Sequence, residues 1–392
     1  MSATPHSLTG AVDPARDPAA GLFRLDAPLR RIETDGVRRR LPSGPAATLG
    51  ARVADFFADH AEGPALLVGA LPFDPSHDDA LFQPAQVCAP ASAPVPTVIG
   101  LGGRAIEVPP AADYADAVAR CIERLDADTA PGAEALRKVV LARSLRVDAP
   151  VAIDPRALAA RLGADRSVTT YVTPVPATTG GAAGWLVGAT PELLVSRRGR
   201  AIVSHPLAGS ARRLADPDAD RRAAEALMES VKDHDEHRHV VDAIVEALAP
   251  LCDELDAPPR PSLHATATMW HLGTRITGTL KEPAVSAAAL AGLLHPTPAV
   301  CGTPRTRALE MIRALEPVDR GFYAGAVGWA DDRGDGDWYV SIRCAHVQGR
   351  TMRLFAGAGI VSGSQPALEV DETAAKFRAL LDALGIDEAR AA

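Results

Sequence analysis

A chain of 392 residues with 47% hydrophobic and 23% charged residues, 33 Pro and 32 Gly has an ordinary globular composition, which excludes a mostly disordered or fibrous protein. A compact chain of this length buries about 75% of its unfolded surface, so it needs no disulfide or metal to fold. With 49 acidic against 41 basic residues and a net charge of −8, it lacks the basic excess usual in nucleic-acid-binding proteins, and Arg38-Arg39-Arg40 reads as solvated surface.

Residues 1–20, rich in Ala, Pro, Asp and Ser, read as a flexible leader. They hold no apolar run suited to a signal peptide. Nowhere do about 18 apolar residues follow one another without charge or Pro. A cytoplasmic protein with no membrane or nucleic-acid partner is expected. Residues 21–110 mix short apolar runs, such as Ala65-Leu66-Leu67-Val68, with turn formers. Tyr114, Val118, Cys121, Ile122 and Leu125 then recur on one face and predict a helix. Lys138 to Val147 reads as a strand. Asp154-Pro155 opens a short helix as N-cap and first helical residue, and Gly163 ends it.

Strands are predicted over Val168–Val175, Trp185–Ala189 and Glu192–Ser196. Pro217 to Leu248, with no internal Pro or Gly, predicts one long helix. Helices near 284–294 and 303–315, strands over Trp338–Val347 and Thr351–Ala356, and a helix from Pro366 to Leu384 complete the pattern. Strands and helices interleave without strict alternation, which predicts an α+β fold with a mixed or antiparallel sheet. Neither GxxxxGKS/T nor a GxGxxG opening a helix after a strand is present, so nucleotide binding has no support. The five cysteines (Cys88, Cys121, Cys252, Cys301, Cys344) are scattered without CxxC spacing, which suggests neither disulfides nor a thiolate zinc site.

Two pairs of carboxylates lie three apart, Asp233 with Glu236 and Glu369 with Glu372, so each pair shares a helix face. Brought together, the four would suit a hard cation such as Mg²⁺; apart, they are solvated acidic faces. Lys376, four residues after Glu372, either pairs with it or helps to hold an anionic ligand. His234, His237 and His239 lack the HExxH pattern and a third ligand, so they are expected to flank the acidic site rather than bind zinc. Gly209 and Gly357 sit beside apparent strands, where a missing side chain lets a ligand approach the backbone or forms a tight turn. Arg343 reads as a mid-strand cation among apolar residues, and such a guanidinium needs an anionic partner. Lys138 and Glu192 are anonymous charges unless one acts as base and the other as acid, with pKa values moved by their surroundings.

Taken together, these segments resemble the chorismate-utilising enzyme family, nearest to its isochorismate synthases of the siderophore (2,3-dihydroxybenzoate) type. The resemblance rests on Lys138–Leu141, Gly188–Leu194, Pro206–Arg213, Lys232–His237, Met269–Leu272, His295–Gly302, Ser341–Ala345, Phe355–Val361 and Glu369–Lys376, in family order. It implies one large α+β domain over residues 21–390, with an amino-terminal part (21–110) and a motif-bearing catalytic part (111–390). Two stacked antiparallel sheets would be flanked by helices, with the site in a cleft. It further implies that Glu236 and Glu372 ligate Mg²⁺, with Asp233 and Glu369 close by, directly or through water. Arg343 and backbone around Gly357 would take one substrate carboxylate, and Gly209, His271, Ala299, Val300 and Lys376 would line the site. Lys138 resembles the base that activates water, and Glu192 the acid that protonates the departing hydroxyl. A neutral lysine base would have to sit away from the metal cradle, because neighbouring carboxylates favour its charged form.

The implied activity is Mg²⁺-dependent isomerisation of chorismate to isochorismate by a monomer. Ala208 stands where aminodeoxychorismate synthases carry a lysine, and no glutaminase partner is expected. Salicylate synthase, which makes isochorismate and then eliminates pyruvate, remains an alternative, as does a non-catalytic chorismate-binding protein.

Overall fold

A computed structural model describes residues 21–89 (except 29, 60 and 61), 105–177, and 183–386 (except 385); the leader expected over residues 1–20 lies outside them. The strand Lys138–Asp148, rich in Val and Leu, pairs antiparallel with Thr351–Ile360 along its whole length. One antiparallel path continues from there through Cys344–Gln348, Gly184–Thr190, Thr169–Val175, Phe23–Ala27 and Arg30–Arg40. It goes on through Ala80–Cys88, Leu66–Leu71, Ala326–Asp331, Gly336–Val340, Leu193–Arg198 and Ala201–His205 to Ile276–Leu280 and Cys252–Asp256.

The path doubles back into two stacked layers, so residues far apart along it share one core. Tyr171, Leu186 and Phe355 from one half pack in the same apolar cluster as Leu67, Val195, Trp329 and Trp338 from the other. The opposite face of the first layer, with Val172, Trp185, Val187 and Leu354, is covered by the helices Pro155–Leu162 and Pro366–Leu384 through Leu158, Phe377 and Leu381. That sheet is therefore apolar on both faces, which explains why its strands read as continuous apolar runs rather than alternating ones. A separate three-stranded sheet, Leu207–Arg212, Met269–Gly273 and Ser262–Ala265, stands beside the cleft.

Local signals set several boundaries. Asp154 caps its helix by accepting the Arg156 N–H, with Pro155 first inside and Gly163 at the end. Two expectations fail. The long helix over 217–248 is two helices, Pro217–Glu229 and Val231–Leu248, because Ser230 adopts an extended conformation and accepts the Asp233 N–H. Serine is a strong N-cap, and no Pro or Gly was needed to make the break. The strand over Trp338–Val347 likewise divides into Gly336–Val340 and Cys344–Gln348. Arg343 lies in the gap with φ 50° and is not mid-strand. Among the described residues no helix is long and apolar enough to cross a membrane.

Candidate active site

Both breaks deliver side chains to one cleft. The new helix start at Val231 turns Lys232, Asp233 and Glu236 inward, opposite Glu372 and Lys376 from the helix Pro366–Leu384. Glu192, Gly209, His271, Ala299, Val300, Arg343 and Gly357 line the same space. Lys138 and Glu369 lie just behind the wall, 0% and 1% exposed, each touching a wall residue.

The four carboxylates meet three lysines. Lys138 Nζ donates to Glu236 Oε1 at 2.9 Å, Lys376 Nζ to Glu372 Oε1 at 2.7 Å, and Lys232 Nζ to Glu369 Oε1 at 3.3 Å. Burial alone would raise the Glu236 carboxyl, but Lys138, then Lys376 and Lys232, bring it below the usual carboxylate range. Asp233 and Glu369 go the other way. Burial raises both, helped by neighbouring carboxylates: Glu236 and Glu372 for Asp233, Glu372 for Glu369. The expectation that Lys138 stands away from the acidic cradle is therefore corrected. An ammonium this deeply buried needs a counter-charge, and Glu236 supplies it.

Glycine makes that contact possible. A Cβ on Gly359 would lie 2.9 Å from Glu236 Oε1 and 3.0 Å from Lys138 Cε. Gly359→Ala should therefore keep its fold, because only flexible side-chain ends must move, yet lower turnover by ~10²-fold through misplacement of the pair. Circular dichroism alongside an activity assay checks both halves. Gly209 plays a related part: its φ is 77°, the ladder bulges there, and a Cβ would fall 2.9 Å from Asp233 Cβ. This glycine is required for the turn and for helix contact together.

Glu192 differs from the other carboxylates. It is 2% exposed, and burial pushes its carboxyl up to about 8, against the smaller pulls of the Leu207 N–H and Lys138. It is thus largely protonated at neutral pH. Across the cleft, Arg343 Nη2 donates to His271 Nε2 at 3.3 Å. Burial, then Arg343 and Lys376, hold the His271 imidazole well below its ordinary value, so it is neutral and accepts. Burial also lowers Arg343, with only Tyr323 opposing. Among the described residues no carboxylate pairs with this guanidinium, which leaves its fork free for an anion.

Several lining residues escaped the sequence reading. Tyr323 and Phe355 stack with centroids 4.8 Å apart and planes 9° apart, forming a flat wall. Tyr323 sits on a loop with no periodic pattern to mark it. Lys232, four residues before Glu236 on the same helix, could have been found by the spacing that found Lys376. The histidines flank the acidic site, as expected: His237 lies close enough to Glu236 and Lys138 to feel their charges, with its Nε2 bonded to Thr274 Oγ1 at 2.7 Å, and His234 Nε2 is bonded to the Met228 carbonyl at 2.8 Å. Among the described residues no group of three or more His, Cys, Asp and Glu is poised to hold a metal ion as it stands.

A buried acid whose carboxyl is pushed up by burial, a guanidinium that pairs with no carboxylate among the described residues, and lysine-balanced carboxylates share one cleft suited to a small anionic molecule. The profile of the family described as "Chorismate binding enzyme" matches residues 103–385, and the chain belongs to that family. It is 41% identical to the isochorismate synthase DhbC of Bacillus subtilis over 94% of both chains. It is 37% identical to the isochorismate synthase EntC of Escherichia coli, covering 93% of this chain and 92% of the other. The crystal structure of DhbC from Bacillus anthracis matches with a TM-score of 0.85 at 38% identity, over 94% of this chain and 97% of that one. The menaquinone-specific MenF of Escherichia coli shares the fold at a TM-score of 0.78 and 23% identity, over 94% and 90%.

Proposed function

We propose that the protein is an isochorismate synthase of the siderophore type, an isomerase that adds water at C2 of chorismate and expels the C4 hydroxyl. The observation that carries this reading is Glu192, 2% exposed with its carboxyl pushed up to about 8 by burial, in the same cleft as Arg343, whose guanidinium pairs with no carboxylate among the described residues. In this reading Lys138 must first release the ammonium proton that Glu236 holds in place, and the neutral amine then takes the proton of the attacking water as the C2–O bond forms. The ring double bonds shift, the C4–O bond breaks, and Glu192 donates its proton so that the hydroxyl leaves as water. Lys138 opens the strand Lys138–Asp148, whereas Glu192 lies not in the expected strand but in the short link between Gly184–Thr190 and Leu193–Arg198, and this separation suits attack and departure at different ring carbons. Arg343, oriented by neutral His271, pairs with the enolpyruvyl carboxylate. Lys376, held by Glu372 and by the Gly357 carbonyl at 2.8 Å, supports the same end.

The donor set fits Mg²⁺. All candidate ligands are carboxylate oxygens, as a hard cation prefers, and Glu369 Oε2 is buried with no hydrogen-bond partner. Glu236 and Glu372 would hold the ion, with Asp233 and Glu369 direct or through water, and it would supply charge for the ring carboxylate. Glu372→Gln should keep the fold, lose the Mg²⁺-induced rise in melting temperature, and abolish turnover. Normal turnover at limiting Mg²⁺ would overturn the ligand assignment.

The reading also takes the enzyme as a cytoplasmic monomer needing no glutaminase, with residues 21–390 as one domain. The deciding experiment incubates pure protein with chorismate and Mg²⁺, with and without ammonium. Isochorismate alone supports the assignment. Salicylate with pyruvate, or an aminated product, replaces it.

A further inference from the structure

The strand Thr351–Ile360 lines two cavities. Phe355 and Gly357 face the cleft described above, whereas Thr351, Arg353 and Phe355 line a second space of about 330 Å³. The loop Pro317–Tyr323 closes it from the other side, and His346 and Leu186 flank it from the neighbouring strands. Tyr323 and Phe355 belong to both linings, and their stacked rings form the partition between the two spaces.

The chemistry of the second space is that of an anion site with apolar walls. The Arg353 side chain is partly buried and makes no hydrogen bond or ion pair with any described residue. The other guanidinium there, Arg320, is already engaged by Glu316 and by the carbonyls of Val140 and Val300. His346 brings no charge, since burial and Arg353 hold its imidazole near 4. The one carboxylate in the lining, Asp319, accepts the Gly321 N–H. Val108, Leu186, Pro317, Val318, Phe322 and Phe355 supply the apolar surface. A partly desolvated guanidinium without a partner gains most from a carboxylate, which it can grip with two parallel hydrogen bonds. Size points the same way: a cavity of about 150 Å³ holds benzene, so this one accommodates a single ring with a carboxylate.

The geometry points to a second ligand site, distinct from the catalytic cleft, that takes a small aromatic monocarboxylate on Arg353. Its occupation reaches the catalytic cleft through the shared Tyr323–Phe355 pair. The site itself is independent of the proposed reaction; only its kinetic effect rests on that reading.

Benzoate is the probe, with uncharged benzamide as control, titrated calorimetrically into wild type, Arg343→Gln and Arg353→Gln. Arg343→Gln removes carboxylate binding in the catalytic cleft and should leave one benzoate site intact. Arg353→Gln should weaken that site at least tenfold, and Arg353→Lys should restore part of it. Val318→Phe, which fills the space from the loop side, should also abolish it, so the outcome does not hang on one variant. Benzamide should not bind. In kinetics, benzoate should raise the KM for chorismate in wild type by a component that Arg353→Gln loses. Unchanged benzoate binding by folded Arg353→Gln, or equal binding of benzamide, overturns the site. Binding that follows Arg353 with no change in KM overturns the coupling alone. Failure of chorismate as a substrate leaves the binding arm as decisive as before.

Discussion

Glu192→Gln is expected to bind chorismate normally and to lose turnover by about 10²–10⁴-fold, the range for a general acid–base group. The amide has the shape of the protonated acid and no proton to give. In the wild type the acid is competent only while protonated, so kcat/KM should fall as pH rises through about 8. The variant's residual rate should lack that limb. Stability supplies a second readout. The folded carboxyl titrates near 8 against an ordinary 4.5, so the folded state binds the extra proton across that window. The stability tied to this proton is complete below pH 4.5 and is lost as pH rises through about 8. The glutamine variant escapes that loss. Its melting temperature relative to wild type should therefore climb between pH 4.5 and 8. Near wild-type turnover, or a flat difference in melting temperature, would place the acid elsewhere.

Lys138→Met should show two losses at once. Turnover falls by about 10²–10⁴-fold if the lysine is the base. The fold also weakens, because Glu236, whose side chain is 19% exposed, keeps its charge after its partner is gone. Breaking a buried pair from one side costs about 3–5 kcal/mol. Adding Glu236→Gln removes the stranded charge, and the double variant should recover most of the stability and none of the turnover. Urea unfolding curves for the three proteins, measured without metal, check the coupling. A Lys138→Met protein as stable as wild type would show that the pair contributes nothing, and full activity would end the base assignment. A solvated strand-end lysine would have changed stability by less than about 0.5 kcal/mol, so the two accounts differ several-fold.

Local chemistry made much of this chain legible. Asp154-Pro155 and Gly163 bracketed their helix because capping depends on neighbours in sequence. The spacing of Asp233 with Glu236, and of Glu369 with Glu372 and Lys376, placed each set on one helix face because 3.6 residues make a turn. The ordered motifs pointed to the family and to the cleft residues, including Arg343 as a cation in need of an anion. The break at Ser230 and the gap at Ser341–Arg343 were not foreseen: both occur in segments whose composition permits a continuous element, although the first carries a local signal in the N-cap preference of Ser230, which accepts the Asp233 N–H.

What the sequence alone determined, then, is what repeats within a turn or a strand: element types, caps, shared faces and which charged side chains are candidates for the cleft. The tertiary structure decided which charges meet. Lys138 and Glu236 stand 98 residues apart, one at a strand start and the other on the helix Val231–Leu248, and only the fold, with Gly359 leaving room for both side chains, brings them to 2.9 Å. The proton on Glu192 is decided in the same way, since burial is a property of everything packed around a carboxyl and of nothing beside it in the chain.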